Sequence, residues 1–195
     1  EIFGGITSFV FLIVISFYLS VQEQGIARFL QSITPLQYER YVLEIWDRTR
    51  RKLGALFQTM FILMAIVGTL VYLSLSVLGI KFAFLLGVLS GLFELIPVVG
   101  PILAAIPGVT LGFLQSPEIG LLVLLIYAAI QQIENHVIVP LIMQKAVGIS
   151  PLVVIISLLI GGKLAGILGL LVAVPMAVMI VEIIDGIDRR RRTTV

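Results

Sequence analysis

The chain has 195 residues, of which 59% are hydrophobic and only 12% charged, with a formal net charge of +2. A soluble domain carries about twice that share of charge, so a soluble globule is excluded and a membrane-embedded chain is expected. The absence of cysteine excludes disulfides, thiolate metal sites and cysteine nucleophiles.

The chain begins at Glu1 rather than Met, and an apolar run starts at once. The expectation is the C-terminal part of a longer protein. Ile2 to Val21 carries no charge, and about 20 apolar residues cross a bilayer core at 1.5 Å per residue. The segment lacks the basic flank and cleavage site of a signal peptide. Gln22 to Lys52 is the long polar stretch and holds Arg28, Arg40, Arg48, Arg50, Arg51 and Lys52. Such a basic loop between spans is expected in the cytoplasm. Within it, Thr34-Pro35 is a helix start signal. Tyr38, Tyr41, Val42, Ile45, Trp46 and Thr49 then recur at three- and four-residue spacing. That pattern predicts an amphipathic helix, which suits either the membrane surface or another part of the same protein.

Leu53 to Leu78 is long enough to span. Phe82 to Ile96 and Ile102 to Leu114 are apolar but short, and Pro97-Val-Val-Gly100-Pro101 separates them. Two prolines around a glycine break a helix. The two halves form either two short spans or a re-entrant helical hairpin with its tip at Pro97–Pro101, and the hairpin is the preferred reading. Non-helical backbone at membrane depth is tolerated only inside protein or against a water-filled cavity. Glu118 to Met143 spans again, followed by the polar connector Gln144 to Ser150. Pro151 to Ile160, the break Gly161-Gly162-Lys163, and Leu164 to Ile184 read as a second hairpin. The chain closes on Arg189 to Arg192, a run that anchors to lipid headgroups and is expected in the cytoplasm.

The two broken regions share a register. Glu94 and Lys163 are each followed by a helix breaker three residues on, by glycine six on (Gly100, Gly169) and by alanine ten on (Ala104, Ala173). Each follows a spanning segment, and the two units would enter the membrane from opposite sides. Inverted units with broken helices are characteristic of secondary transporters, whose substrate sites lie where the breaks meet. The expected fold is therefore an all-α integral membrane protein. It combines transmembrane helices, two re-entrant hairpins in an inverted repeat and a cytoplasmic-side amphipathic helix. Its parts are residues 1–53 (scaffold span and amphipathic helix), 54–117 (first repeat) and 118–195 (second repeat and basic tail).

An ionisable residue at the centre of a spanning helix costs roughly 2.5–3.5 kcal/mol on insertion scales. Glu94, Glu134 and Lys163 are the three such residues. Gln131, Glu134 and Asn135 share a helical face by their spacing, and that face needs a cavity or polar partners. These groups either line a substrate or ion path or form a buried pair of Lys163 with one glutamate. Either a buried glutamate or Lys163 could carry a transported proton. His136 is expected to make a simple hydrogen bond. Lys81 and Glu118 are expected to anchor at an interface. Ser90 and Ser157 lie near breaks but have no paired base, so an intramembrane protease is not favoured. No metal cluster, phosphate loop or catalytic set is present, and no cofactor is expected beyond coupling to H+ or Na+. The terminal arginines, without interleaved aromatics, do not suggest nucleic acid.

The motifs Glu94-Leu-Ile-Pro-Val-Val-Gly-Pro101, Gln132-Ile-Glu-Asn135 with Pro140-Leu-Ile-Met143, Ser150-Pro-Leu152, and Gly161-Gly-Lys-Leu-Ala-Gly166 continuing to Pro175 occur in this order. Together they resemble the AI-2E family of bacterial membrane transporters across essentially the whole chain. The resemblance implies a multi-pass bacterial inner-membrane protein and homo-oligomer, with residues 22–53 and the C-terminus cytoplasmic. It implies export of a small polar solute such as autoinducer-2, a quorum-sensing signal; some members are instead linked to sodium–proton antiport. It also assigns Glu94, Glu134, Pro97, Gly100, Pro101, Gly161, Gly162 and Gly166 to the transport region, beside Gln131, Asn135 and Lys163 from the charge argument. The alternatives are a cation–proton antiporter and a non-transporting membrane scaffold.

Overall fold

The computed structural model describes residues 25–139, 141, 148 and 150–193. The first apolar segment and most of the connector 144–150 lie outside the described residues. Residues Glu1–Arg50 and Arg51–Val195 form two compact units. Every element among the described residues is helical.

In the first unit, α1 (Gly25–Ile33) buries no residue. Phe29 and Ile33 repeat at helical spacing and are exposed, as is Leu36 beyond them, so this apolar face is open to a membrane interface or a partner. α2 runs from Leu36 to Val77 without interruption. The expected amphipathic helix is therefore the first part of a longer helix, not a separate element before a span. Nothing breaks it at the expected boundary near Leu53, because Arg50, Arg51, Lys52 and Leu53 are all good helix formers. Its 42 residues measure about 63 Å, twice a hydrocarbon core.

In the second unit, α2 carries the packing stripe. Leu56, Met60, Leu63, Val67, Val71 and Leu75 recur every three or four residues and are all buried, as a one-sided helix requires. The stripe serves two cores. Leu63 to Leu75 pack with Ile80, Ala83, Leu86, Val123, Ile130 and Ile138. Leu56 and Met60 pack with Leu158, Ala173, Val174 and Val178.

α3 (Ala83–Phe93) and α4 (Val99–Gln115) follow. At 11 and 17 residues they are about 16 and 25 Å long, short of a full crossing for α3 and at its lower limit for α4. A β-carbon on Gly100 would collide with the carbonyl of Phe93. In a straight helix residues seven apart lie about 10 Å apart, so the chain doubles back here. The break occupies 94–98; Gly100 and Pro101 already belong to the first turn of α4, where proline loses no helical hydrogen bond.

Val98 sits at the tip with φ 69° and ψ −52°, a genuine outlier for a β-branched residue. Such strain costs of order 1–3 kcal/mol. Val98→Gly is expected to raise thermal stability by about 1 kcal/mol, read from unfolding in detergent. A lower melting temperature would show that the valine side chain holds the tip.

Ser116 caps α5 (Pro117–Ile133): its hydroxyl accepts from the Ile119 amide at 3.2 Å, with Pro117 in the first turn. Glycines let α4 and α5 approach closely. Gly108 lies against the Tyr127 ring, and Gly112 against Gly120 and Val123, the small-xxx-small device of membrane helix pairs. α5 passes into a π turn at Glu134–Ile138.

α6 (Pro151–Thr193) is interrupted at Ala165 and Gly166. Its arms turn back on each other, since a β-carbon on Gly161 or Gly169 would collide with the other's carbonyl. Residues eight apart in a straight helix would be about 12 Å apart. The second break thus lies at 165–166 and not at Gly161-Gly162-Lys163. Gly166 alone adopts the left-handed backbone (φ 58°) that glycine permits. Gly161 and Gly162 stay helical and provide the close face between the arms.

Among the described residues, three helices are long and apolar enough to cross a membrane: Leu36–Val77, Pro117–Ile138 and Leu152–Asp188. Only 28–33% of their apolar windows is buried within the chain. The remaining Leu, Ile and Phe surface needs lipid or further protein to cover it.

Candidate functional site

The break after α3 and the π turn after α5 deliver one carboxyl group each to the same place. Glu94 is 3% exposed and Glu134 6%, and their side chains lie within hydrogen-bonding reach of one another. Glu134 is also held by Gln131, whose Nε2 donates to Oε2 at 2.9 Å. Glu94 Oε1 is buried and has no hydrogen-bond partner.

These groups line a cleft of about 480 Å³ between α2, α3, α4 and α5. Its polar lining comes from Ser90, Glu94, Thr110, Tyr127, Gln131 and Glu134; Val67, Val71, Ala104, Val109 and Ile130 are among its apolar walls. Among the described residues neither lysine nor arginine lines it. The Ser90 and Tyr127 hydroxyls meet at 3.4 Å. The site is thus an apolar recess with a convergent acidic end, as small-solute sites generally are. No group of three or more metal-ligating side chains occurs among the described residues.

The expected site residues divide. Glu94, Pro101, Gln131 and Glu134 line the cleft. Pro97 lies in the turn beside them, and Gly100 permits that turn's closure. Asn135 does not join them. It is exposed, because the π turn inserts an extra residue per hydrogen-bonded ring and rotates the face on which Asn135 would follow Gln131. Gly161, Gly162, Lys163 and Gly166 belong to the second hairpin and do not line the cleft.

The expected pairing of Lys163 with a glutamate is not formed. Lys163 is exposed near the second tip, and the partner of Glu94 is a second carboxyl group. Glu182 is instead the carboxylate held by a lysine: it is 2% exposed and Lys52 Nζ closes on its Oε2. His136 Nδ1 donates to the Gln132 carbonyl at 3.0 Å, the simple role expected of it. Ser157 donates to the Val153 carbonyl.

Tyr127, Thr110 and Glu182 were not singled out by sequence. Tyr127 had a signal, since it stands four and seven residues before Gln131 and Glu134 and so shares their face. Ser90 likewise stands one turn before Glu94. Glu182 lies close to the basic tail and reads as an interfacial charge.

Apolar helices with lipid-facing flanks around an internal acidic cleft define a multi-pass α-helical membrane protein. The AI-2E family transporter profile matches residues 1–189, and the chain belongs to that family. It is 30% identical over 179 residues to YueF of Bacillus subtilis, which carries a transport-protein name, covering 90% of this chain and 48% of YueF. It is 26% identical over 159 residues to the similarly named YrrI of the same organism, covering 82% of this chain and 45% of YrrI. It is 35% identical over 120 residues to the AI-2 transport protein TqsA of Escherichia coli, covering 59% of this chain and 34% of TqsA. The chain spans about half the length of YueF and YrrI. The family is one of transporters and not of enzymes.

Proposed function

We propose that this chain forms the solute-handling half of a secondary transporter that exports a small polar solute by alternating access. One observation carries the reading: two carboxyl groups meet in a cleft among helices that face lipid, and Glu94 Oε1 is left unpartnered. A buried acceptor without a partner costs about 1–3 kcal/mol. A solute hydroxyl or ammonium group arriving there recovers that cost. The cleft without a basic side chain disfavours anions and suits a neutral polyol. The name of TqsA makes autoinducer-2 the first solute to try. The two breaks act as re-entrant hairpins of an inverted repeat, and the bacterial inner membrane is the setting. Coupling to H+ or Na+ and assembly into a homo-oligomer belong to the same reading.

The meeting of two buried carboxyl groups at one cleft favours a second reading, a sodium–proton antiporter in which a cation and a proton exchange at the pair. Full-length protein in proteoliposomes loaded with autoinducer-2 separates the two. Efflux that persists without sodium is expected. Sodium-dependent proton flux with no solute movement would replace the exporter by the antiporter. If neither flux appears, and maleimide reaches neither Val98→Cys nor Ala165→Cys from either side, the chain is a scaffold.

A further inference from the structure

The buried Glu182 plays no part in the cleft. It lies on the second arm of α6, at the end of a face that runs Leu170, Ala173, Val174, Ala177, Val178 and Glu182 at helical spacing. Leu170, Ala173, Val174 and Val178 of this face cluster with Leu56 and Met60 of α2. Lys52 stands one turn before Leu56 and holds Glu182 by an ion pair. A buried ion pair is weak evidence for stability, because desolvation offsets the attraction. What it does provide is a contact with only two states, made or broken.

The surroundings fit a contact that breaks. The side chain of Lys52 is 32% exposed, so these residues do not enclose the pair on that side. The same cluster also takes in Leu95, the residue after Glu94. The α2–α6 seam therefore leads from the Lys52–Glu182 pair to the back of the acidic cleft.

We propose that Lys52 and Glu182 form the latch of a gate. Closed, the pair holds the second hairpin against α2 and seals the cleft on the Lys52 side. Open, α6 parts from α2 and water reaches Glu94 along the seam. The purpose of the opening rests on the transport reading above, but the opening itself is measurable without any solute.

The test uses full-length protein from which any cysteine outside these 195 residues has been removed, with one reporter, Ala173→Cys, in the seam, and N-ethylmaleimide as probe. Lys52→Met and Glu182→Gln are each expected to raise the labelling rate at least ten-fold. The charge exchange Lys52→Glu with Glu182→Lys is expected to return it to within three-fold of the parent. A second reporter, Val123→Cys in the other core, is expected to stay unlabelled throughout. Unchanged labelling of Ala173→Cys in both neutralised variants would overturn the latch. So would an equal rise at both reporters, which would mean general loosening of the fold. So would failure of the charge exchange to rescue when an apolar pair, Lys52→Met with Glu182→Leu, does rescue; packing alone would then hold the seam. Lost flux with the expected labelling pattern would leave the latch standing and count against the transport reading instead.

Discussion

Glu94→Gln is expected to cut solute flux in proteoliposomes by roughly ten- to a hundred-fold while the protein stays folded. The amide keeps the size of the carboxyl group and one acceptor. It replaces one acceptor oxygen of the buried carboxyl group by an NH2 donor, so a solute group that donates to Glu94 can meet a donor instead. A buried polar group left unsatisfied costs about 1–3 kcal/mol, and each 1.4 kcal/mol is a factor of ten, which sets the range. Glu134→Gln is expected to be milder, because one Glu134 oxygen is already engaged by Gln131 at 2.9 Å and less of it is free for a solute. Asn135→Ala serves as the control. Asn135 is one residue further on but exposed, so flux should be unchanged. Parent-like flux in Glu94→Gln, with normal expression and melting, would remove the acidic pair from the path. Loss in Asn135→Ala equal to that in Glu94→Gln would show that the π turn's shape matters, not the carboxyl group.

How much of this was legible depended on what each feature rests on. The helical class, the long spans and the two breaks follow from hydropathy, length and the positions of Gly and Pro, which act locally. The exact break did not follow for the second hairpin. Gly161, Gly162 and Gly166 are equivalent breakers in sequence. Only the packing of two arms decides that the first lies along the close face, while Gly166 takes the positive φ. The continuity of α2 was missed for the converse reason. A change from polar to apolar surface at Leu53 marks a change of solvent, and helical hydrogen bonding ignores that change.

The acidic pair shows the same limit. Glu94 and Glu134 were each conspicuous as charges in apolar sequence, and both line one cleft. Their meeting was not legible. The sequence offered Lys163 as the natural partner, by charge and by its place in the repeat. Partner choice is set by which breaks the helix crossings bring together, and here α3 and α5 converge while the second tip stays apart from them. Glu182 carried no sequence signal of its own, because its partner Lys52 is brought to it only by the packing of α2 on α6.

The helix crossings that set this convergence rest on backbone contact, so they respond to a single methyl group. Gly87→Ala is expected to lower the melting temperature in detergent by roughly 5–10 °C, from an overpacking cost of about 1–3 kcal/mol. A β-carbon at Gly87 would lie 2.6 Å from the Gly68 carbonyl and 2.7 Å from Tyr72 Cβ. Neither atom can be moved by turning a side chain, so α2 and α3 must separate. Gly91 repeats the contact one turn on, 2.7 Å from the Met64 carbonyl. The pair is a Gly-xxx-Gly crossing of the kind that lets membrane helices approach. Ser90 and Glu94 stand three and seven residues beyond Gly87 on the same short helix and its following turn. A displaced α3 therefore carries Glu94 away from Glu134, and flux should fall together with stability. Gly54→Ala is the matched control. Nothing lies within 4 Å of its added carbon, and alanine is favoured over glycine in a helix by about 1 kcal/mol, so the melting temperature should rise. A parent-like melting temperature in Gly87→Ala would mean that α2 and α3 slide freely past each other. The position of Glu94 would then have to be fixed by the α4–α5 crossing alone.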